Sequence, residues 1–366
     1  MPTPQPEQAL LLRLTDPRHS ALEPAELPAG VDWGVFLEAA YQHRVAALAG
    51  ATLARSIDPD SAREYVLDAL TAAATLNAHR NGVLLGEAVT LVGELADRGV
   101  RAALRKGCYL TPAVYGANHL RPMSDIDLFV DRADAPRVSR LLEESGYVAG
   151  SRNALGAVIP LTRRERVFWR VHVNNLPAYH RGRTDPWLPT VAVDTCFGIF
   201  LPASGARLDP RRALDESRAF TIAGRPAYAF RAEHMLLDVA AHLYKESTTL
   251  RYIERGKHRR LLQYVDVAML VRHEAELDWA DLAGEAARAG ALRPLYFALA
   301  NTEALFPATM PDGFLAELAE RAGVSDGFLR EYGEIDLDRP LTWSARHIAE
   351  RLFSSERPGA VSQSAV

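Results

Sequence analysis

Apolar residues along this chain fall into two spacings, and the change from one to the other marks its organisation. From about Trp33 to Arg98 they recur at helical intervals, with Tyr65, Leu67, Leu70, Leu76, Leu84, Leu85, Val89, Val92 and Leu95 forming one stripe. Gly99 is placed to stop the last helix. From Val100 the spacing changes: Val100 to Leu104 predicts a short strand, Lys106-Gly107 a turn and Tyr109 to Tyr115 a helix. A strand follows over Asp125 to Val130, then an amphipathic helix over Ala135 to Glu144 with Val138, Leu141 and Leu142 inward, closed by Gly146 and followed by the strand Tyr147-Val148. The order is strand, helix, strand, helix, strand.

Further strands are predicted at Ala157 to Leu161, Val167 to Val173 and Thr190 to Phe197, with a polar, proline-containing loop from Pro177 to Pro189. From Ala232 the helical spacing returns, near Glu233 to Tyr244, Leu261 to Val271, Trp279 to Ala289, Leu292 to Leu305 and Asp312 to Ala322. The expected organisation is an N-terminal helical region over 1–98, an α/β core over 99–200, a C-terminal helical region over 201–353 and a disordered tail over 354–366.

Composition narrows the class. A chain of 366 residues with 48% hydrophobic content can bury a substantial core. No apolar run is long enough to span a bilayer, and the first residues show neither a basic leader nor a cleavable apolar stretch, so a soluble, cytoplasmic protein is expected. Cys108 and Cys196 are the only cysteines and lie far apart in sequence, which predicts reduced thiols and no disulfide or zinc framework. A net charge of −4 disfavours a long nucleic acid as partner. Lysine is confined to Lys106, Lys245 and Lys257.

Candidate chemistry concentrates in Arg121-Pro122-Met123-Ser124-Asp125-Ile126-Asp127-Leu128-Phe129-Val130. Side chains alternate across a strand, so Asp125, Asp127 and Phe129 share one face while Ile126, Leu128 and Val130 anchor the other. Two carboxylates on one face suit a hard divalent cation carried with a substrate's phosphates. An Asp-x-Asp can also cap a strand or sit in a solvated turn, Lys106 can be a surface residue of a turn, and Arg121 can pair with Asp125 or Asp127 as a structural ion bridge. His234, Asp238 and His242 recur at i, i+4 and i+8 on one helix, where packing accounts for them better than a metal does. No P-loop, dinucleotide-binding glycine turn, Gly-x-Ser-x-Gly elbow or His-Glu-x-x-His is present.

The stretch from Arg105-Lys106-Gly107 to Gly146-Tyr147 resembles the bacterial uncharacterised nucleotidyltransferase family of the polymerase-β-like nucleotidyltransferase superfamily, with Lys-Gly, an Arg ahead of Asp-Ile-Asp-Leu, and a helix ending in Gly-Tyr. The resemblance implies an α/β (α+β) fold, a mixed sheet between N-terminal and C-terminal helical regions. It implies Mg²⁺, two ions, held by Asp125, Asp127 and a third carboxylate from a neighbouring strand. Asp194, in Val191-Ala192-Val193-Asp194, is nominated for that place, with Asp185 the alternative.

The Lys106-Gly107-Cys108 turn, Ser124 and Arg121 are then expected on the phosphates of an NTP. The family usually has a small Gly or Ser where Cys108 stands and a His where Cys196 stands, and the second difference implies a different acceptor. The expected activity is transfer of an NMP group to a hydroxyl or phosphate of a small-molecule or peptide acceptor, with pyrophosphate released, and natural-product biosynthesis is one setting. Phosphoryl transfer at the same metal site and a catalytically decayed binding module are the rivals.

Overall fold

The computed structural model describes residues 5–23, 26–56, 64–153, 156–173 and 175–354. The tail expected over 354–366 lies, beyond Ser354, outside them. Chain contacts define two compact units, one of residues 75–202 with 207–235 and one of residues 1–74, 203–206 and 236–366.

The first unit is built on strands β1 Ala102–Leu104, β2 Ile126–Val130, β3 Val148–Arg152, β4 Val158–Pro160, β5 Tyr179–Gly182, β6 Thr190–Cys196, β7 Arg218–Ile222 and β8 Arg225–Ala229. They form one mixed sheet in the order β4-β3-β5-β6-β2-β1-β8-β7. β2 runs parallel to β6 and β1 parallel to β8, while the remaining neighbours are antiparallel. A mixed α/β architecture is what the spacing and the resemblance imply.

The pleat sorts the side chains. Ile126, Leu128 and Val130 of β2 and Val191 and Val193 of β6 enter one buried cluster with Val138, Leu141 and Leu142 of helix Ala135–Glu144 and with Leu84, Leu85, Val89 and Val92 of helix Glu64–Asp97. The alternate positions of both strands, Asp127, Phe129, Asp194 and Cys196, therefore face the other side. Burial of the apolar row holds the strands in register, since a slip by one residue would invert every side chain.

Three segments differ from expectation. Residues 167–173 do not form a strand: helix Arg163–His172 covers all but the last of them, because Thr162 and Glu165 make a capping box, Glu165 N–H donating to Thr162 Oγ1 at 3.3 Å and Thr162 N–H to Glu165 Oε2 at 2.7 Å. The polar loop expected from Pro177 contains strand β5, whose backbone is paired on both edges. The β7–β8 hairpin closes on Ala223 and Gly224 at φ +49° and +76°, the left-handed pair that a two-residue turn requires.

At Gly150 in β3 the hairpin partner β4 passes so close that a Cβ would lie 2.2 Å from the Ile159 carbonyl oxygen. Gly150→Ala is expected to part β4 from β3 at a cost of about 2 kcal/mol. Faster proteolysis between β3 and β4 would report it, and a variant cleaved at the wild-type rate would refute the close packing.

The second unit is helical. Helices Pro6–Thr15, Trp33–Gln42 and Ala46–Ser56 pack among themselves, and helices Leu261–His273, Trp279–Ala289, Leu292–Leu305 and Phe314–Ala322 supply the C-terminal part. Glu246 is buried there and answered by Lys257 Nζ at 2.7 Å and Gln263 Nε2 at 2.6 Å, so its charge is paired rather than stranded. Among the described residues no helix is long and apolar enough to cross a membrane.

Candidate functional site

Asp127 and Asp194 are register partners on the parallel strands β2 and β6, which sets the two carboxylates side by side on one face of the sheet. Adjacent strands lie about 4.8 Å apart, so the two acids share one locality although 67 positions separate them in the chain. Asp125 immediately precedes β2 and feels both: burial raises its carboxyl first, then the charge of Asp127, with Asp194 adding to the rise. Lys106 and a hydrogen bond from Ser124 Oγ at 2.9 Å pull the other way, and the net result is a carboxyl pushed up to about 6 from 3.8.

The sign of that shift is testable without any ligand. Asp125 favours folding when protonated, and that contribution is lost as the pH rises from near 4 through about 6. Asp125→Asn is therefore expected to raise the melting temperature of the metal-free chain most above pH 6, with the gain shrinking towards pH 4. A gain independent of pH would contradict the crowding of the three acids.

The cations come from the turn after β1. Lys106 Nζ stands 2.6 Å from Asp127 Oδ1, with both side chains largely buried. Its backbone holds φ +42° and ψ −119°, a region L-residues avoid at a cost of order 1–3 kcal/mol. The turn keeps this geometry because its two ends are fixed: Arg105 N–H donates to the Asp127 carbonyl at 3.1 Å, and the Cys108 and Tyr109 amides close a helical turn on Arg105 and Lys106. Gly107 is buried, and a Cβ there would fall 2.9 Å from Arg121 Nη1 and 3.0 Å from Met123 Cγ. A side chain at this position would displace the Arg121 guanidinium and press on the Met123 side chain.

Cys108 lies beside the Asp127 backbone but is closed off from solvent. Its side chain is fully enclosed in the cluster with Ile126 and Leu128, and burial raises its thiol, with the Asp127 charge adding to the effect. Cys196, two positions beyond Asp194 on the same face, is also buried and receives Arg105 Nη1 on its sulfur. Asp185, the alternative third acid, is engaged elsewhere: its Oδ2 lies 2.7 Å from His79 Nε2, and its other oxygen accepts from the Trp187 and Leu188 amides. His234 and Asp238 are fully buried helix residues.

Two residues of this locality had no role in the sequence analysis. Arg105 is a buried cation on the carboxylate side of β1, in line with Ala103, the partner of Phe129. Asn81, fully buried in helix Glu64–Asp97, straps the loop that carries Arg121 and leads into β2. Its Nδ2 donates to the carbonyls of Asn118 at 2.6 Å and Arg121 at 2.7 Å, and its Oδ1 accepts from Met123 N–H at 3.0 Å. A polar residue within the apolar stripe, between Leu76 and Leu84, was the signal available for it.

The profile of a family described as uncharacterised nucleotidyltransferase matches residues 29–307, more than three quarters of the chain. The chain belongs to this family. Membership supports nucleotidyl transfer as the general activity of this nucleotidyltransferase and an NTP as its substrate. No curated protein matches it.

Among solved structures it is similar to an antigenic nucleotidyltransferase-like protein from Paracoccidioides brasiliensis, 18% identical, over 60% of this chain and 87% of that one, with a TM-score of 0.35. It is also similar to the antibiotic-resistance factor ANT(2'')-Ia, 14% identical, over 61% of this chain and 96% of that one, with a TM-score of 0.32. Both superpositions are loose, and the family profile carries the assignment.

Proposed function

We propose that this nucleotidyltransferase moves an NMP group from an NTP to a hydroxyl or phosphate of a small-molecule or peptide acceptor, with pyrophosphate as the second product. The observation that carries the reading is the pairing of Asp127 with Asp194 across β2 and β6, with Asp125 close enough to be repelled by both. Three mutually repelling carboxylates form an all-oxygen donor set, which fits Mg²⁺. Asp125, Asp127 and Asp194 would hold it, and when bound it would supply charge neutralisation to the triphosphate and to the reacting oxygens.

The chain's own residues do the rest. Lys106, fixed beside Asp127 by its strained turn, and Arg121, whose planar fork suits phosphate oxygens, hold the triphosphate against the acids. Gly107 leaves room for the Arg121 guanidinium beside the turn, and Ser124 orients the Asp125 carboxyl. Cys108 contributes its place in the helical turn, since its thiol is enclosed. Asp194 accepts the proton of the acceptor hydroxyl as its oxygen bonds to the α-phosphorus and the bond to the pyrophosphate oxygen breaks. Catalysis of this kind depends on positioning and charge rather than on a covalent intermediate.

The test is mass spectrometry of candidate acceptors incubated with each NTP and Mg²⁺. A product heavier by a nucleotide, with pyrophosphate released, supports the reading. A product heavier by one phosphate would move the reaction to the γ-phosphorus and make the protein a kinase. Absence of Mg²⁺-linked NTP binding in isothermal titration would make it a decayed binding module.

A further inference from the structure

The opposite side of the same sheet carries a cavity of about 750 Å³, between helices Ala135–Glu144 and Arg163–His172. Tyr179 forms part of its wall and is the register partner of Val193, so it stands on the side of the sheet opposite Asp194. Phe197, also in the wall, shares the Val191 and Val193 side of that strand line. A group bound in this hollow cannot reach the three acids through the sheet, which separates it from the site of transfer.

The lining combines aromatic surface with unbalanced positive charge. Arg132, Arg140 and Arg166 border the cavity, and among the described residues Glu143 is its only acid. Glu143 Oε1 accepts from the Tyr179 hydroxyl at 3.3 Å, and Ser139 bonds to the same hydroxyl. Among the described residues neither Arg140 nor Arg166 enters an ion pair, and the Nε of Arg166 is anchored on the Leu161 carbonyl at 3.2 Å. The Arg132 guanidinium lies 5.4 Å from the centre of the Phe197 ring and donates to the Val173 carbonyl at 3.1 Å. Trp169 adds a second large aromatic surface.

Cavities that take small molecules measure roughly 300–1,000 Å³ and pair an apolar lining with a few convergent polar groups. Guanidinium forks match the paired oxygens of carboxylate, sulfonate and phosphate groups, and aromatic walls take a flat apolar body. The three arginines are exposed at the rim of the cavity, so an anion bound there gains a solvent-screened attraction from each.

We propose that this cavity is a second, non-catalytic binding site of the protein, for a small organic anion with a flat apolar body. It is independent of the reading of the carboxylate site, because it uses none of its residues.

The full chain would be titrated with 8-anilinonaphthalene-1-sulfonate, an aromatic anion, followed by fluorescence, with N-phenyl-1-naphthylamine as its uncharged counterpart. Saturable binding of one equivalent of the sulfonate, tighter than that of the amine, is expected. The double substitution R140Q/R166Q should weaken sulfonate binding on the order of tenfold and leave the amine unaffected. Ser139→Trp, which fills the hollow, should remove the saturable phase for both dyes. Equal affinity of the two dyes for the wild-type chain would overturn the proposal whatever the folding of the variants, as would unchanged sulfonate affinity in a folded R140Q/R166Q protein.

Discussion

Nucleotidyl transfer by the Asp127→Asn variant is expected to fall on the order of 10³-fold or more, because an amide keeps the shape of the side chain but removes the charge that the donor set needs. Asn at this position still accepts a hydrogen bond from Lys106 Nζ, which lies 2.6 Å from Oδ1. Asp127→Ala adds a second effect, since it removes the ion pair with Lys106 from a largely buried turn. Breaking a buried ion pair costs 3–5 kcal/mol, and the partial exposure of Lys106 together with the nearby charge of Asp125 brings this one below that range, to about 2 kcal/mol. Paired measurements of product formation and of the denaturant midpoint separate the two. Turnover at the wild-type rate in the folded Asn variant would remove Asp127 from the reaction.

Asn81→Leu should cost stability on a similar scale. A leucine of nearly the same size removes three hydrogen bonds at once and leaves the Asn118 and Arg121 carbonyls and the Met123 amide to find other partners. Each stranded backbone group costs about 1–3 kcal/mol, and partial rescue by solvent at the part-buried carbonyls puts the total near 4 kcal/mol. The loop runs directly into Ser124 and Asp125, so the KM for NTP should rise even where the variant is folded. Hydrogen exchange at Met123 gives the decisive readout: an amide as protected as in the wild type would show that Asn81 does not hold the loop.

The part of the fold nearest the proposed chemistry was legible in the sequence, and the reasons are local. β2 shows a period-two apolar row, helix Ala135–Glu144 a period near 3.6 with Gly146 behind it, and β6 a Val-x-Val row with an acid on the other face. Asp125, Asp127 and Asp194 come together because those rows pack into one cluster and fix the register.

Elsewhere the local signals were weak or misread. Strand β5 reads Tyr-His-Arg-Gly and is held by neighbours on both edges, which no local pattern shows. The β7–β8 turn uses Ala223 where Asn or Asp would have advertised a hairpin. Helix Arg163–His172 carries Val167, Phe168 and Trp169 in a row that mimics a strand, although Thr162 and Glu165 already spelled a helix start. Asn81 became meaningful only when the 118–123 loop was seen against its helix, because its three partners lie 37 to 42 positions away.

The parallel pairing of β2 with β6 also bears on how the protein emerges during synthesis. Parallel strands cannot be joined by a tight turn, and here the crossover contains helix Ala135–Glu144, β3, β4, helix Arg163–His172 and β5. A nascent polypeptide released from the ribosome only as far as Pro189 already displays Asp125 and Asp127 but has no strand to set Asp194 beside them. On the function proposed above, competence to grip a nucleotide arrives late, once Thr190–Cys196 has been translated and has docked, and a fragment ending before it would carry the conspicuous half of the motif without its third acid.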